Sequence, residues 1–353
     1  MTVERSRLDI LRAIAPGTPL RNAIELILRQ ETGALIVLGY GREIEAICTG
    51  GFHLDGADFH PARLAELAKM DGAVITDEAA EVIYRANVHL IPDPSLDTNE
   101  TGTRHRTGER VAKETGKAVV VVSEDRQTVT VYTSDSTYEL RSPATLLAQA
   151  NQNLLTLERF RGRLADEEVR LTQLEVDEIV VYRDVVQFLQ RAALVLRIGE
   201  DLEHYTVELG GEGGLINLQL VDLLAGTSES AELVYADHAR TYPPSTKNPL
   251  DLLGTLSTEH LSDESRVAAL LDFGPLENPA RSRGYRILDR IPRLPDAVQD
   301  SLVDHFETLQ HLLDASVGEL DQVEGVGRAR ARQLRHYFDR LLETTRSWAI
   351  DEE

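Results

Sequence analysis

The sequence has almost none of the features that mark a secreted or membrane protein. Cys48 is its one cysteine among 353 residues, so no disulfide framework can form and a reducing compartment is expected. The N-terminal residues alternate charged and apolar side chains and lack the apolar core of a signal peptide. No stretch approaches the roughly 18 consecutive apolar residues that a membrane helix needs. We therefore expect a soluble cytoplasmic protein with no membrane partner.

Basic residues are scarce relative to acidic ones. The chain has 37 Lys plus Arg against 59 Asp plus Glu, which gives a formal net charge of −22. This charge argues against coating of nucleic acid by the whole molecule, but it leaves room for a small basic patch. The length suggests two or three domains, and a hydrophobic share of 42% is ample for globular folding.

Strand and helix patterns alternate over the first part of the chain. Thr18 followed by Pro19 is typical of a helix start, and GALIVLG between two glycines is typical of a buried strand. The predicted helices cover 3–15, 19–30 and 61–70, and the predicted strands cover 33–39, 43–51, 73–77, 88–93, 117–124 and 128–133. This alternation predicts an α/β domain with a mixed sheet.

The character of the chain changes after Ser142-Pro143. Residues 144–200 are helical in pattern and highly charged, and leucines spaced by seven at 157, 164 and 171 predict packing in a bundle or against a neighbouring subunit. GGEGG at 210–214 lacks the strand and helix that frame a nucleotide-binding loop, so we predict a turn. A proline-spaced hinge is predicted at 275–295, followed by an all-helical region. The expected fold is multidomain, α/β followed by all-α, with domains at 1–143, 144–290 and 291–353.

Residues 101–110, TGTRHRTGER, bring two arginines and a histidine together. Nothing in the neighbouring sequence neutralises them as a run. The following ERVAKETG is typical of a short helix with a glycine C-cap, so the TRHRTG loop leads into a helix N-terminus that attracts phosphate. Arg104 and Arg106 add planar forks for phosphate oxygens, and Thr103 and Thr107 add hydroxyl donors. We predict a polyphosphate ligand; a solvated loop is the alternative.

The sequence Asp-Gly-Ala occurs twice and offers two candidate carboxylates. Asp55 lies in a stretch predicted to be a polar loop, HLDGADFH. Asp71 lies between an amphipathic helix and an apolar strand, where a carboxylate is aimed outward from a rigid element. Gly72 would let a ligand approach the backbone closely. We therefore choose Asp71 for the chemistry; an ordinary helix-ending turn is its alternative.

Asp71-Gly72-Ala73 before a strand, then Leu90-Ile91-Pro92, then Thr-Arg-His-Arg-Thr at 103–107, resembles the diadenylate cyclase family. Over nearly the whole chain, the sequence is similar to the bacterial family of DNA integrity scanning cyclases. The resemblance implies a cyclase domain at 1–143, a helical spine at 144–290 and a DNA-binding helix-hairpin-helix domain at 291–353.

The resemblance also implies a reaction, in which two ATP molecules become cyclic di-AMP and two pyrophosphates. Asp71 would hold Mg²⁺ or Mn²⁺ and help to activate a ribose 3′-hydroxyl, and Leu90 would offer backbone groups to the adenine. Arg104, His105 and Arg106 would be catalytic, because transfer at phosphorus depends mostly on positioning and charge stabilisation. His105 could donate to a phosphate oxygen or only orient the loop. The nucleotide contacts implied are Gly72, Ala73, Leu90, Thr103, Arg104, His105, Arg106, Thr107 and Ser123.

The product is two-fold symmetric, which imposes a geometry on the enzyme. One domain carries one set of motifs and can present one ATP. Two domains must therefore meet across a two-fold axis, and a monomer should be inactive. The family's assembly implies a homo-octamer.

The C-terminal stretch VEGVGR is typical of a helix-hairpin-helix turn. Its residues Gly325 and Gly327 would let backbone N–H groups meet a DNA phosphate, and Arg328 and Arg330 would add charge without reading sequence. Gly327 is expected to need a conformation or a close phosphate approach that only glycine allows. An interdomain turn is the alternative. Several linked copies would bind branched, Holliday junction-like DNA through avidity.

Two other functions compete with the cyclase. One is a nucleotide sensor that turns nothing over, but a sensor has little need of a metal-binding carboxylate beside the ribose. The other is a DNA-repair scaffold, which leaves residues 101–110 unexplained. The sequence leaves open the preferred metal, the DNA structure recognised and the sign of its effect on synthesis.

Overall fold

The computed structural model of the chain describes residues 9–240 and 248–350, with side chains up to residue 345. The chain forms two compact units, Met1–Gln152 with Glu203–Leu218, and Asn153–Leu202 with Gln219–Glu353. The predicted helix at 3–15 is helical at 9–13, and its first six positions lie outside the described residues. Across the part of the chain that is described, no helix combines the length and apolarity needed to span a membrane.

The first unit is built on one mixed sheet of eight strands within the described residues. The strands are β1 Ala34–Leu38, β2 Cys48–Thr49, β3 Phe52–Asp58, β4 Ala73–Thr76, β5 Val82–Leu90, β6 Ala118–Val122, β7 Val129–Tyr132 and β8 Thr137–Leu140. Their order is β2-β5-β4-β1-β6-β7-β8, and β3 also pairs with β5. β1 and β4 run parallel while the other pairs are antiparallel. The prediction of an α/β domain with a mixed sheet is therefore confirmed.

Helices cover both faces of this sheet. They are α1 Pro19–Arg29, α2 Arg42–Ile47, α3 Pro61–Ala68 and α4 Thr103–Thr115. Along β1, Ile36 and Leu38 join the core formed with α1 and α3, while Leu35 and Val37 join the core formed with α2 and α4. Alternate side chains of a strand point to opposite faces, so a strand buried on both faces is apolar throughout. This explains why the continuous run GALIVLG was a reliable strand signal.

Several predicted elements differ from the structure. The predicted strand at 43–51 is mostly the helix α2, because Ile44 and Ile47 are spaced for one buried helical face and Glu43 and Glu45 favour its first turn. The predicted loop HLDGADFH is mostly β3, whose pairing shifts between His53 and Ala57. β5 begins six residues before the predicted strand at 88–93 and ends earlier, at Leu90, and β8 had no sequence signal that we used.

The basic segment at 101–110 is also organised differently from the prediction. It is not a loop that leads into a helix, because α4 already begins at Thr103. Gly102 is the N-cap, and Arg104, His105 and Arg106 all lie in the first turns. Gly116 ends the helix in the left-handed conformation with φ 69°, which confirms the predicted glycine C-cap.

The described residues that follow the sheet form helices joined by turns and loops, with no named strand. The helices that follow the sheet are α5 Pro143–Val176, α6 Tyr182–Leu209, α7 Gly214–Leu224, α8 Thr227–His238, α9 Pro249–Gly254, α10 Thr258–Leu261, α11 Glu264–Leu270, α12 Tyr285–Asp289, α13 Asp296–Phe306, α14 Leu309–Asp314, α15 Val317–Leu320 and α16 Arg328–Ile350. The heptad leucines 157, 164 and 171 are buried, as their spacing predicts. GGEGG is a 3₁₀ turn at Gly210–Gly213 that joins α6 to α7, not a nucleotide loop.

A buried charged network links three helices of the second unit. Arg286 on α12 contacts the Glu175 carboxylate on α5 and donates to Thr172 Oγ1 at 2.9 Å. His238 on α8 lies 2.9 Å from the other Glu175 oxygen. Asp237 accepts hydrogen bonds from the first backbone N–H groups of α12. The segment predicted as a hinge at 275–295 is therefore anchored where it contains α12.

Candidate functional site

A cavity of about 580 Å³ opens in the first unit at the edge of the sheet formed by strand ends, where β1 and β4 begin and β6 ends. It is lined by Asp71, Thr101, Gly102, Thr103, Arg104, His105, Val122, Ser123, Glu124, Asp125 and Arg126. These residues come from three places: the turn before β4, the start of α4 and the loop after β6. The topology brings them together, because Val122 at the end of β6 pairs with Ala34 at the start of β1 and β4 also starts at this edge.

Arg104 occupies the centre of the charged part of this site. Its Nη2 atom lies 3.4 Å from Asp71 Oδ1, and its Nη1 atom lies 3.9 Å from Glu124 Oε2. Asp71 is fully exposed while the Arg104 side chain is 36% exposed. The guanidinium therefore bridges two carboxylates at the mouth of the cavity.

Gly33, which precedes β1, makes room for the Arg104 side chain. A Cβ atom on residue 33 would lie 2.4 Å from Arg104 Nη1 and 3.3 Å from the carbonyl oxygen of Val122. Any larger residue would push the guanidinium away from its place above the strand ends. Sequence reasoning missed this glycine, since nothing in the local pattern distinguishes it from a glycine that merely ends a loop.

Gly72 is fixed by packing against β5. Its N–H donates to Asn87 Oδ1 at 3.2 Å, and a Cβ atom would lie 2.2 Å from the Asn87 carbonyl carbon. The close approach that glycine permits here is therefore to a neighbouring strand. This contact sets the position of the adjacent Asp71 backbone.

The N-terminus of α4 faces the cavity. Among the described residues, no side chain accepts a hydrogen bond from the first N–H groups of this helix, because its N-cap is Gly102. The first N–H groups of a helix carry partial positive charge and favour anions. Thr103 and Arg104, in the first turn, both line the cavity. The site thus combines helix-end N–H groups with a planar cation.

His105 points away from the solvent-exposed side of α4 and is buried. Its Nδ1 atom lies 2.7 Å from the Tyr132 hydroxyl, which donates in turn to Glu100 Oε1 at 2.8 Å. Burial lowers the pKa of His105, although the charge of Glu100 opposes this shift. Burial and the Glu100 hydrogen bond raise the pKa of Tyr132, so its phenol stays protonated. Neither Tyr132 nor Glu100 was identified from the sequence.

The structure brings some of the sequence-predicted residues together and leaves others apart. Asp71, Thr103, Arg104, His105 and Ser123 line the cavity. Ala73 and Leu90 are buried in the core under α2 and α4. Arg106 is exposed on α4 and Thr107 is half-buried. The cavity lining does not include Gly72, Ala73, Leu90, Arg106 or Thr107.

Three charged residues of the lining follow β6 and were missed from the sequence. Glu124, Asp125 and Arg126 belong to a short loop whose start is tied by the Arg126 N–H to Ser123 Oγ at 3.3 Å. These residues could have been considered because they directly follow a buried strand. Only the order of the strands shows that this strand ends near Asp71, and the sequence did not provide that order.

Metal ligands in this site are few. Within the described residues, no group of three or more His, Cys, Asp or Glu side chains could hold a metal ion by itself. An ion held near Asp71 and Glu124, both within 4 Å of Arg104, would therefore have to be shared with oxygens of a ligand. Such sharing is the usual manner of Mg²⁺ binding, with one or two carboxylates plus substrate phosphates.

The C-terminal turn predicted to bind DNA lies between α15 and α16. Gly325 has φ 79°, and its carbonyl oxygen accepts a hydrogen bond from Arg330 Nη1 at 2.7 Å. Gly327 has no positive φ, and a Cβ atom there would meet nothing within 4 Å. The left-handed residue of this turn is Gly325, so the expected glycine-only conformation at Gly327 is wrong, while a close phosphate approach at Gly327 stays a prediction.

Comparison with known proteins finds two family models that match successive parts of the chain. The family model described as "DisA bacterial checkpoint controller nucleotide-binding" matches residues 21–137, and the one described as "DisA bacterial checkpoint controller linker region" matches residues 140–278. The "DNA integrity scanning protein DisA" of Acidothermus cellulolyticus is 47% identical over 342 residues, which cover 95% of this chain and 93% of that protein.

The chain belongs to the DisA family. The protein of the same name from Bacillus mycoides is 42% identical over 96% of each chain, so the likeness extends across distant bacteria. Membership of this family confirms the prediction of a diadenylate cyclase with a role in DNA integrity scanning. Among solved structures, DacA from Staphylococcus aureus matches 39% of this chain with 19% identity and a TM-score of 0.30, which is too low to support an argument.

Proposed function

We propose that this DisA-family chain condenses two ATP molecules into cyclic di-AMP and two pyrophosphates at a site made by two copies of its N-terminal domain. The observation that carries the proposal is the Arg104–Asp71 ion pair in the cavity at the start of α4. It places a phosphate-binding cation beside a carboxylate suited to a metal ion. The cavity volume of about 580 Å³ falls in the range of small-molecule sites.

The triphosphate is bound by the first turn of α4. Helix-end N–H groups, the Thr103 hydroxyl and the Arg104 guanidinium supply donors around one side of the cavity. Charge-assisted hydrogen bonds from arginine to phosphate are short and strong. Arg106, which is exposed on the same helix, contributes a second cation from outside the cavity lining.

Asp71 and Glu124 fit a divalent ion that is shared with the nucleotide. A bound Mg²⁺ or Mn²⁺ would offset phosphate charge and polarise the reacting phosphorus. When the nucleotide binds, Arg104 exchanges its carboxylate partners for phosphate oxygens. Asp71 would then be free to hold the ion and to orient the ribose 3′-hydroxyl. The Asp71 side chain is fully exposed, as expected for a group that contacts a ligand and does not stabilise the fold.

Bond formation requires the second copy. The 3′-hydroxyl oxygen of one nucleotide attacks the α-phosphorus of the other, displaces pyrophosphate, and releases its proton to solvent. The same step repeated in the opposite direction closes the ring. One domain presents one set of these residues, so two domains face each other across a two-fold axis in an isologous contact.

The rest of the chain extends this function to DNA. We assign residues 1–143 to the cyclase domain, 144–290 to a helical spine and 291–353 to a helix-hairpin-helix domain. The turn after α15 would meet DNA phosphates through the backbone around Gly325 and Gly327 and the side chain of Arg328. In a cytoplasmic homo-octamer, several such turns would bind branched DNA through avidity, and a bound junction would inhibit synthesis.

One assay tests the enzymatic core of this proposal. The purified full-length chain is incubated with ATP and Mn²⁺, and separately with ATP and Mg²⁺, and the products are resolved by chromatography and mass spectrometry. We expect cyclic di-AMP and pyrophosphate in a ratio of one to two. A folded protein that binds ATP and yields no cyclic dinucleotide with either metal would instead be a nucleotide sensor.

A further inference from the structure

His105 has one nitrogen engaged and one without a partner. Nδ1 contacts the Tyr132 hydroxyl at 2.7 Å. Nε2 is buried and has no hydrogen-bond partner among the described residues, and the whole residue is only 8% exposed. An unpaired buried polar atom is costly. Its persistence in the wall of the cavity points to a partner that arrives with the ligand.

The hydrogen-bond chain fixes which nitrogen carries the proton. Glu100 as a carboxylate can only accept, so the Tyr132 hydroxyl must spend its single proton on Glu100. The Tyr132 oxygen can then only accept from His105, which places a proton on Nδ1. A neutral His105 therefore presents Nε2 as a bare acceptor, and only an imidazolium presents an N–H there.

The Cδ2 side of the ring lies next to Gly102, at the wall of the cavity. A Cβ atom on Gly102 would lie 3.5 Å from His105 Cδ2, the carbon next to Nε2. Gly102 and His105 both line the cavity. With glycine at this position, no side chain covers the Cδ2–Nε2 edge from the N-cap.

We propose that Tyr132 and Glu100 are positioning residues that hold His105 ready to take up a proton on Nε2 when a polyphosphate binds. This inference rests on the proposed function, since it takes the ligand to be ATP. The proton comes from solvent and Nδ1–H is retained, so the imidazolium donates from Nε2 to a phosphate oxygen. Glu100, reached through the Tyr132 hydroxyl, balances the new charge.

The charges around His105 agree with proton uptake on ligand binding. In the free protein, burial lowers the pKa of His105 and so favours the neutral ring. Arg126 lowers the pKa further, while Glu100 and Glu139 raise it. Glu109 adds negative charge near Tyr132. A triphosphate brings negative charge to the cavity, which favours the imidazolium.

The test is calorimetric titration of the full-length protein with a non-hydrolysable ATP analogue and Mg²⁺. Titration in two buffers of different ionisation enthalpy, at pH 7.5, gives the net number of protons taken up. We expect net uptake for the wild type, and an affinity that falls as pH rises above the pKa of free His105, by up to about tenfold per pH unit. We expect Glu100→Gln, which keeps the hydrogen-bond acceptor, to lose most of the uptake.

Tyr132→Phe should also lose the uptake, and Tyr337→Phe on α16 should behave like the wild type. Thermal unfolding checks that each variant is folded, and the partly exposed Glu100 keeps the test valid if Tyr132→Phe proves unstable. Equal proton uptake in the wild type and Glu100→Gln, or no uptake in a wild type that still makes cyclic di-AMP, would overturn this proposal alone. A protein that binds no nucleotide would overturn the proposed function as well.

Discussion

Arg104 is the residue on which the geometry of the candidate site depends most. It contacts both carboxylates of the site, Asp71 and Glu124, and it lies over Gly33 at the start of β1. These two ion pairs and the space over Gly33 hold the guanidinium at the mouth of the cavity before a ligand binds. An oriented donor costs less to organise when charge develops during the reaction.

We predict that Arg104→Ala lowers cyclic di-AMP synthesis by about 10²–10³-fold, as expected for the loss of a preorganised charged donor. Arg106→Ala should also lower synthesis, but less, because Arg106 is exposed and does not line the cavity. Steady-state rates at saturating ATP measure the difference. An equal loss of synthesis in the two variants would show that lining the cavity does not make Arg104 more important than Arg106.

A second prediction at this scale concerns the space under the guanidinium. Gly33→Ala should lower synthesis by about ten- to hundredfold, since small displacements of positioning groups carry such costs. The added Cβ meets mainly the flexible end of Arg104, so the variant should fold normally.

Gly162→Ala is the matched control for this glycine. Residue 162 lies in α5, and a Cβ atom there meets nothing within 4 Å. This change should leave synthesis intact and stabilise the helix by about 0.5–1 kcal/mol. Wild-type synthesis by a folded Gly33→Ala enzyme would refute the role given to Gly33.

At the scale of elements, the buried parts were the most predictable from sequence. β1 and β6 are short apolar runs and α1 and α3 carry one apolar face, patterns typical of a buried strand and of an amphipathic helix. The segment at 43–51 failed because Ile44, Ala46 and Cys48 alternate while Ile44 and Ile47 also fit a helix. A six-residue helix is too short for its period to outweigh the alternation.

The residues of the candidate site were also only partly predictable from the sequence. The family resemblance assigned Asp71 and Arg104 to one site, and the structure places Arg104 Nη2 3.4 Å from Asp71 Oδ1. Glu124 follows β6, Gly33 precedes β1 and Tyr132 ends β7, so these residues come close only through the sheet order. Contacts between distant segments leave no local periodicity, so sequence patterns alone could not supply them.

The buried network of the second unit gives a prediction about an element's stability. Arg286→Met leaves the Glu175 carboxylate buried without its strongest partner. This should lower the free energy of unfolding by about 3–5 kcal/mol. Arg290→Met is the control, because Arg290 pairs with Glu168 at a more exposed position and should cost less than about 1 kcal/mol. Chemical denaturation followed by circular dichroism of the helices measures the stability lost in each variant. Similar losses would show that burial does not decide the contribution of these ion pairs.

At the scale of the whole molecule, a DNA-binding end and a nucleotide-making end share one chain. We predict that junction DNA inhibits synthesis and that linear duplex does so little. Gly327→Leu combined with Arg328→Glu should abolish junction binding and leave basal synthesis unchanged, because Gly327 has open space for a side chain. Synthesis with and without junction DNA, alongside a binding assay, checks this. Full inhibition of the double variant would mean that DNA acts elsewhere, for example at the basic start of α4.

The central claim is that the cavity carrying Asp71 makes cyclic di-AMP, and the two Asp-Gly-Ala triplets test it most directly. Asp55 lies in the irregular part of β3 with φ 47°, a conformation that asparagine tolerates well, so Asp55→Asn should keep the fold and most of the activity. Asp71→Asn changes a fully exposed carboxylate and should abolish cyclic di-AMP formation with fold and assembly intact. Synthesis is measured by mass spectrometry for both variants beside the wild type. Normal synthesis by Asp71→Asn, with loss in Asp55→Asn, would contradict the account.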